Sequence, residues 1–332
     1  MFFKQNYIYK SSLNLCLSLL IFLSFFFILA CESSPQENLA QNNTPISAST
    51  THSSRGALLA TNFSSLEELK QHISIDYKKS DGKWSLFNSK VSAKLNHESY
   101  GSQVSSLLKS GISENDITAA RDGGVLKKIQ LLFSSPYFVR NREDMLRVYT
   151  LARRDFKNFG EGDAAFYDLA EQILYNIDDD DLALTNSNDL SEKGYLNTFN
   201  HITAQVFMTT LFSEQLADFI ADVHERANMS ELITGTFTLA QLNDLEKGPI
   251  DNYVDMINNE WGQELGKELK AKYKITRSTI WTSDLLANFL NDVQTYYGWA
   301  FGIGFEPFYA NNEKIRRFTT KLNIVMGNTP KR

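Results

Sequence analysis

A mainly α-helical, multi-helix bundle-like domain with one small β-hairpin near its N-terminal end is what this 332-residue sequence predicts. Three observations carry it. From Ser99 onward apolar residues recur at spacings of three and four, the period of a helix with one buried face. The periodic runs begin after Ser or Asn with an acid three residues later and end at Gly or Pro, which are helix start and stop signals. Strict alternation occurs in one place only, Ile73 to Leu86. With 42% hydrophobic and 22% charged residues the chain can bury one sizeable core or two modest ones.

Ser65 caps a first short helix through Leu66 and Leu69, with acids in its first turn. Ile73, Ile75 and Tyr77 then alternate with polar residues, Asp81-Gly82 supplies the positive φ angles of a tight turn, and Trp84 and Leu86 return. The following stretch reads as a helix stopped by Gly111. Ser113 with Asp116 opens another whose face continues through Leu126, Ile129 and Phe133 to Pro136. Asn141 with Asp144 starts the helix of Met145, Val148 and Leu151, stopped by Gly160, and residues 164–177 form one more with Leu169, Ile173 and Leu174 inward. Asp178 to Asp181 lack the alternation and the glycine of a calcium loop and read as a solvated helix terminus.

The central stretch is residues 195–266. No charged side chain occurs from His201 to Ser213, and Ile202, Val206, Phe207, Met208, Leu211 and Phe212 surround most of the circumference, so this helix is expected in the interior. A buried imidazole needs a partner, because an unpaired polar group there costs roughly 1 to 3 kcal/mol. The next helix packs through Leu216, Phe219, Ile220 and Val223; at 100° per residue His224 falls beside Ala217 and Ala221, while Glu225 falls with Asp218 and Asp222 toward solvent. In the third helix Val254, Ile257, Trp261 and Leu265 form the buried stripe. Asp251, Asp255, Asn258 and Gly262 form a polar stripe beside it, with Asn259 and Gly266 at the margin and Glu260, Glu264 and Lys267 on the far side. Two glycines inside a helix cost about 1 kcal/mol each, so another backbone or a ligand is expected close by.

His201, His224, Asp255, Asn258 and Asn259 are therefore the candidate catalytic residues, with His201, His224 and Asp255 as candidate ligands of a divalent metal. These three side chains are expected to converge. The C-terminal part adds a helix capped at Thr282-Ser283, an aromatic and glycine-rich run from Tyr296 to Tyr309 that packs the core or lines a pocket, and a last helix through Ile315, Phe318, Leu322 and Val325.

The order Phe199-x-His201, His224-Glu225 and Asp255-x-x-Asn258-Asn259-x-x-Gly262 resembles a bacterial all-helical domain family of unknown function with F-R-H, A-H-E and D-x-x-N-N-x-x-G motifs. The resemblance covers about 70 residues and departs at Asn200 and Val223, where arginine and alanine are usual. It implies a helical fold and a shared polar site, but no reaction.

The N-terminus supplies an address. Lys4 and Lys10 precede an 18-residue apolar run, Leu13 to Ala30, that ends in Ile28-Leu29-Ala30-Cys31 before a polar tail. This order resembles a bacterial lipoprotein signal peptide, which implies cleavage before Cys31 and its lipidation; an uncleaved membrane anchor is the alternative. Residues 31–62, rich in Gln, Asn, Ser and Thr, read as a disordered tether. Residues 63–180 then form an N-terminal helical region with the hairpin, and 181–332 the domain with the His/Asp/Asn motifs. Localisation in the bacterial cell envelope follows, at the outer membrane, with membrane contact through Cys31 and a protein or small molecule as further partner.

Losing Lys4 and Lys10 takes the net charge from -6 to about -8, and the remaining Lys and Arg are scattered, which argues against a nucleic-acid partner. Cys16 lies in the signal, so the processed chain holds a single cysteine. Disulfides, thiolate zinc sites and cysteine nucleophiles are thereby excluded. Two function classes stay open: a helical binding or structural module with a buried polar site, and a metal-assisted or His/Asp-dependent hydrolase acting on an envelope lipid or glycan.

Overall fold

Two long helices, crossing where one of them carries two glycines, position the candidate site. The computed structural model describes residues 56–79, 91–191, 193–245 and 247–328, all within one compact unit. Among these residues the order is α1 (Leu66–Leu69), β1 (Ile73–Lys79), β2 (Val91–Ser99), β3 (Ser102–Lys109), α2 (Glu114–Asp122), α3 (Val125–Ser134), α4 (Pro136–Arg140), α5 (Arg142–Leu151), α6 (Phe156–Phe159) and α7 (Phe166–Tyr175). There follow α8 (Asp179–Leu184), α9 (Tyr195–Leu211), α10 (Glu214–Glu225), α11 (Glu231–Thr234), α12 (Leu239–Asn243), α13 (Pro249–Lys272), α14 (Ser283–Phe301) and α15 (Glu313–Met326). The fold is mainly α, as its sequence predicts.

The packing of α9 against α13 is set by Gly262 and Gly266. A Cβ at Gly262 would stand 2.9 Å from the Ile202 carbonyl oxygen, and one at Gly266 2.9 Å from that of Val206. The approach that the two glycines imply is thus that of another backbone. Thr210 Oγ1 donates to the Gly266 carbonyl across the same crossing (3.0 Å). Beyond it, Phe166, Phe207, Phe289, Phe318 and Trp281 stack into an aromatic core shared by α7, α9, α14 and α15.

The β region corrects the sequence reading. β1 pairs antiparallel with β2 and β2 with β3, in the order β1-β2-β3, so the stretch expected as a helix before Gly111 is a strand. Val104, Ser106 and Leu108 point inward from β3 beside Ala93, Leu95 and His97 of β2. The connecting turn is Tyr100-Gly101, both with positive φ (48° and 82°). Tyrosine seldom takes that conformation, so the pair gives no turn signal in sequence. The expected turn at Asp81-Gly82 and the return through Trp84 and Leu86 lie outside the described residues. The sheet's inner face covers α13, where Trp261 Nε1 donates to His97 Nδ1 (2.9 Å).

Helix boundaries also shift. Gly123-Gly124 divides α2 from α3, Pro136 opens α4 rather than only ending α3, and Asp178 to Asp181 begin α8 instead of closing α7. Acids at a helix N-terminus are favoured by its dipole, and Asp181 Oδ2 also accepts the Gly304 N–H (2.6 Å).

Two findings redraw the domain organisation. Leu58, Leu59 and Phe63 belong to the core, so the last five residues of the expected tether, 58–62, lie within the packed chain. Lys321 of α15 is buried against Asp163 Oδ2 (2.8 Å) and the carbonyls of Ala164 (2.9 Å) and Arg153 (2.6 Å). One core therefore runs from Leu58 to Met326, with no division near residue 180.

Candidate metal centre

Three helices bring the candidate residues together. His201 projects from α9, His224 and Glu225 from the last turn of α10, and Asp251, Asp255 and Asn259 from one stripe of α13. His201 Nδ1 is 3.1 Å from Asn259 Oδ1, and its Nε2 is 3.4 Å from Asp255 Oδ2. The Asn259 amide nitrogen donates to Glu225 Oε1 (3.3 Å), and the Asn197 amide nitrogen to Asp255 Oδ1 (2.9 Å). The imidazoles of His201 and His224 lie 6.0 Å apart, centroid to centroid. One ligating atom each of His201, His224 and Glu225 fall within 4.8 Å of one another. His201, His224 and Asp255 thus converge as the sequence predicts, across gaps of 23 and 31 residues.

Two expectations change. Glu225, placed toward solvent by its helical angle, is 2% exposed, whereas the His224 side chain is 47% exposed. The reason is that α10 is covered on two sides. α13 packs on one, and Arg226, held by Asp222, caps the carbonyls of Lys109 (2.6 Å) and Ile112 (3.2 Å) on the other. A second covering layer from far along the chain leaves no trace in the local period. His224 is kept in place from outside, with Nδ1 3.2 Å from Glu114 Oε1 of α2.

Asn258 is the other correction. Its Oδ1 accepts the Leu58 N–H (2.8 Å) and its Nδ2 donates to the Leu58 carbonyl (2.8 Å), so both ends of the amide hold the N-terminal segment. Thr198 Oγ1 donates to the same carbonyl (3.2 Å), and Tyr296 OH to that of Gly56 (2.7 Å). Asn258 is a structural residue, and the catalytic role expected for it passes to no chemistry here. Asn259, its neighbour, stays in the cluster as the link between His201 and Glu225. Glu225 and Glu114 are the members that sequence reasoning missed; the adjacency of Glu225 to His224 was the available signal.

The electrostatics of the cluster follow from burial. Desolvation pushes the Asp255 carboxyl up to about 7, and desolvation with the nearby Asp255 charge does the same to Asp251. Burial and the Asp255 charge raise Glu225 well above the carboxylate range. Burial, then the proximity of His224, lowers His201 to about 4. His224 moves the other way, to about 9, through its hydrogen bond to Glu114, whose own carboxyl is lowered by the same contact. Near neutral pH the cluster is thus several carboxyls around one neutral imidazole, His201, and one protonated imidazole, His224. A proton or a cation must offset the charge that these carboxyls carry when ionised.

The pH dependence has a definite sign. For Asp255 and Asp251 the folded-state pKa lies above the unfolded one, so their contribution is complete below about pH 4 and is lost as pH rises through about 7. For His224 the loss runs from about 6.5 to 9. His201 acts oppositely, losing its contribution as pH falls from about 6.5 through 4, and the lowered carboxyl of Glu114 acts in the same sense. Thermal melts of metal-free protein should therefore give a lower Tm at pH 8 than at pH 5.5. Asp255→Asn, which cannot ionise, should shrink that difference and gain on the order of 1 to 2 kcal/mol at pH 8. A variant as pH-sensitive as its parent would remove Asp255 from the titrating set.

The arrangement has the chemistry of a divalent-metal site. Nδ1 of each histidine is taken up by a side-chain oxygen, Asn259 Oδ1 or Glu114 Oε1. His224 can then offer Nε2 once it gives up its proton, and His201 Nε2, 3.4 Å from Asp255 Oδ2, can meet an ion that this carboxylate shares; such outer oxygen partners are what orient metal-ligating imidazoles. Ligand atoms about 2.1 Å from a tetrahedral ion stand about 3.4 Å apart, so the group at 4.8 Å must draw in. Of the three, His224 has the exposed side chain, so drawing in requires it to turn on its contact with Glu114. No protein-family model matches this chain, and no curated protein or solved structure was found to be similar to it. Among the described residues no helix is long and apolar enough to cross a membrane.

Proposed function

We propose that this chain is a lipid-anchored protein of the bacterial cell envelope, at the outer membrane, whose helical domain binds a divalent first-row metal through His201, His224 and Glu225. The observation that carries the metal reading is the convergence of one ligating atom each from His201, His224 and the buried Glu225 within 4.8 Å, with Nδ1 of each ring against a side-chain oxygen. Nitrogen and oxygen donors without thiolate suit zinc, manganese, iron or nickel rather than copper(I). Asp255, beside His201, would share the positive charge or take a proton from a bound water, and a metal supplies the means to lower that water's pKa toward 7. Hydrolysis of an envelope lipid or glycan is the activity that this donor set and the anchor favour.

The signal order around Cys31 supports the address. Equilibrium dialysis of the purified protein against zinc and manganese, with elemental analysis, tests the site; one ion per chain is expected, and less than a tenth of that in His201→Ala. Mass spectrometry of the N-terminal peptide tests the anchor, and an unmodified Cys31 in mature protein from its native envelope would refute it.

A further inference from the structure

One helix of this fold has its apolar side turned to water. In α3 not one residue is buried, and Val125, Leu126 and Phe133 are 70%, 82% and 55% exposed. At 100° per residue Val125, Leu126, Ile129 and Phe133 share one face, while Lys127, Lys128, Gln130 and Ser134 lie on the rest of the circumference with Leu131. Leu146 and Tyr149 add exposed apolar surface on α5, which is joined to α3 through the short α4. An isolated exposed leucine calls for no explanation, but a helix with no buried residue and three large apolar side chains exposed on one face, around a half-buried Ile129, does.

The charge around this face is opposite to that of the chain. Residues 121–154 carry eight Lys or Arg and three Asp or Glu, net +5, in a chain whose total is -6. Some of these cations are committed: Arg121 to Asp122, Arg147 to Asp144, and Arg154 to Asp168. Lys127, Lys128 and Arg140 form no ion pair among the described residues. An apolar stripe with a basic remainder is the pattern of a helix lying in the plane of an anionic lipid interface.

We propose that α3, with the flanking surface of α5, docks the folded domain onto an anionic lipid bilayer. The proposal rests on the anchoring reading, since lipid at Cys31 would hold the domain at the surface that α3 meets. Twenty-four residues lie between Cys31 and Gly56, enough at about 3.5 Å per step to span some 90 Å, so the anchor does not by itself bring α3 to the membrane. The apolar face and its cations would do that. The docked segment is joined through Gly123-Gly124 to α2, whose first residue, Glu114, holds His224.

Amide hydrogen exchange on the full lipidated chain, reconstituted in vesicles of phosphatidylethanolamine with 30% phosphatidylglycerol or in phosphatidylcholine vesicles, tests this. Amides of residues 125–134 should exchange at least about tenfold more slowly on the anionic vesicles. That protection should disappear in 0.5 M salt and in a Leu126→Glu, Phe133→Glu double variant, whose exposed positions leave the fold unchanged. Equal exchange on both vesicles would overturn the proposal. So would protection that appears without vesicles and grows with protein concentration, which would assign the face to a second copy of the chain. The mass of the N-terminal peptide reports the anchor independently, and if Cys31 proves unmodified the same vesicles added to the unlipidated chain decide the docking face alone.

Discussion

Zinc or manganese at a hundred times its dissociation constant should raise the Tm of metal-free protein at pH 8 by about 5 to 10 °C, since a ligand bound only by the folded state contributes about 2.7 kcal/mol at that ratio. At pH 5.5 the shift should nearly vanish. Protons then occupy the carboxyls of Asp255 and Asp251, whose pKa values stand near 7, so the ion must displace them in addition to the His224 proton that it displaces at either pH. Glu225→Gln discriminates between a metal site and a structural network. The amide is nearly isosteric and can still accept from Asn259, so the metal-free fold is retained, but the anionic ligand is gone. A loss of at least about 100-fold in metal affinity is expected, with the thermal shift reduced to a degree or two; Glu114→Gln, acting only through His224, should cost about 10- to 100-fold. If no first-row ion shifts the parent's Tm at pH 8, the centre is a hydrogen-bonded network and the binding-module reading stands.

Gly262→Val should be the most damaging single substitution in the crossing helices. Two effects compete at this position. Replacing glycine inside a helix favours folding by up to about 1 kcal/mol. Against that, a Cβ here would lie 2.8 Å from Gln205 Cβ, 2.9 Å from the Ile202 carbonyl oxygen and 3.1 Å from Ile202 Cα. Two of these three atoms are backbone and cannot rotate away, so the helices must separate. The clash wins by a wide margin: a net loss of about 3 kcal/mol or more is expected for valine and about 1 to 3 for alanine. Denaturant melts of both variants decide this, and a stabilised Gly262→Ala would show that propensity prevails. The separation should also weaken metal binding, because Gly262 lies one turn beyond Asn259 and faces the helix that carries His201.

The aromatic run from Tyr296 to Tyr309 divides between its two expected roles. Tyr296, Tyr297 and Phe308 are buried, and Tyr297 OH reaches the Phe199 carbonyl (3.1 Å), so these residues are packing. Trp299 is half-buried against Tyr100 of the β2–β3 turn. Its replacement by alanine should therefore cost well under the 3 to 5 kcal/mol of a fully buried aromatic. Ala300 and Phe301 instead line a cavity of about 310 Å³ beside Leu58, Phe63 and Asp189.

What the sequence determined by itself are the features written into a single helix. Uncharged residues from Ile202 to Phe212 place α9 in the interior, the glycines of α13 announce a close backbone, and the period of three and four puts Asp255 and Asn259 on one stripe. Asp116 Oδ2 accepts the Ser113 N–H (2.8 Å), the acidic half of the capping box that the sequence predicts. Such signals are local, because helix pattern and capping act within a turn or two. Tertiary structure decided what lies across each face. Glu225 is buried because α13 and the Arg226-capped segment cover it, and Glu260, assigned to the solvent side of α13, is half-buried near β3 with its carboxyl pushed up to about 8 by burial and by Asp218. Asn258 is spent on the backbone of Leu58, 200 residues away. A polar residue beside a core can serve a ligand, another side chain or a strand of backbone at similar cost, because all of them satisfy its hydrogen bonds. Only the path of the distant chain selects among them, and that path has no signature within the helix it meets.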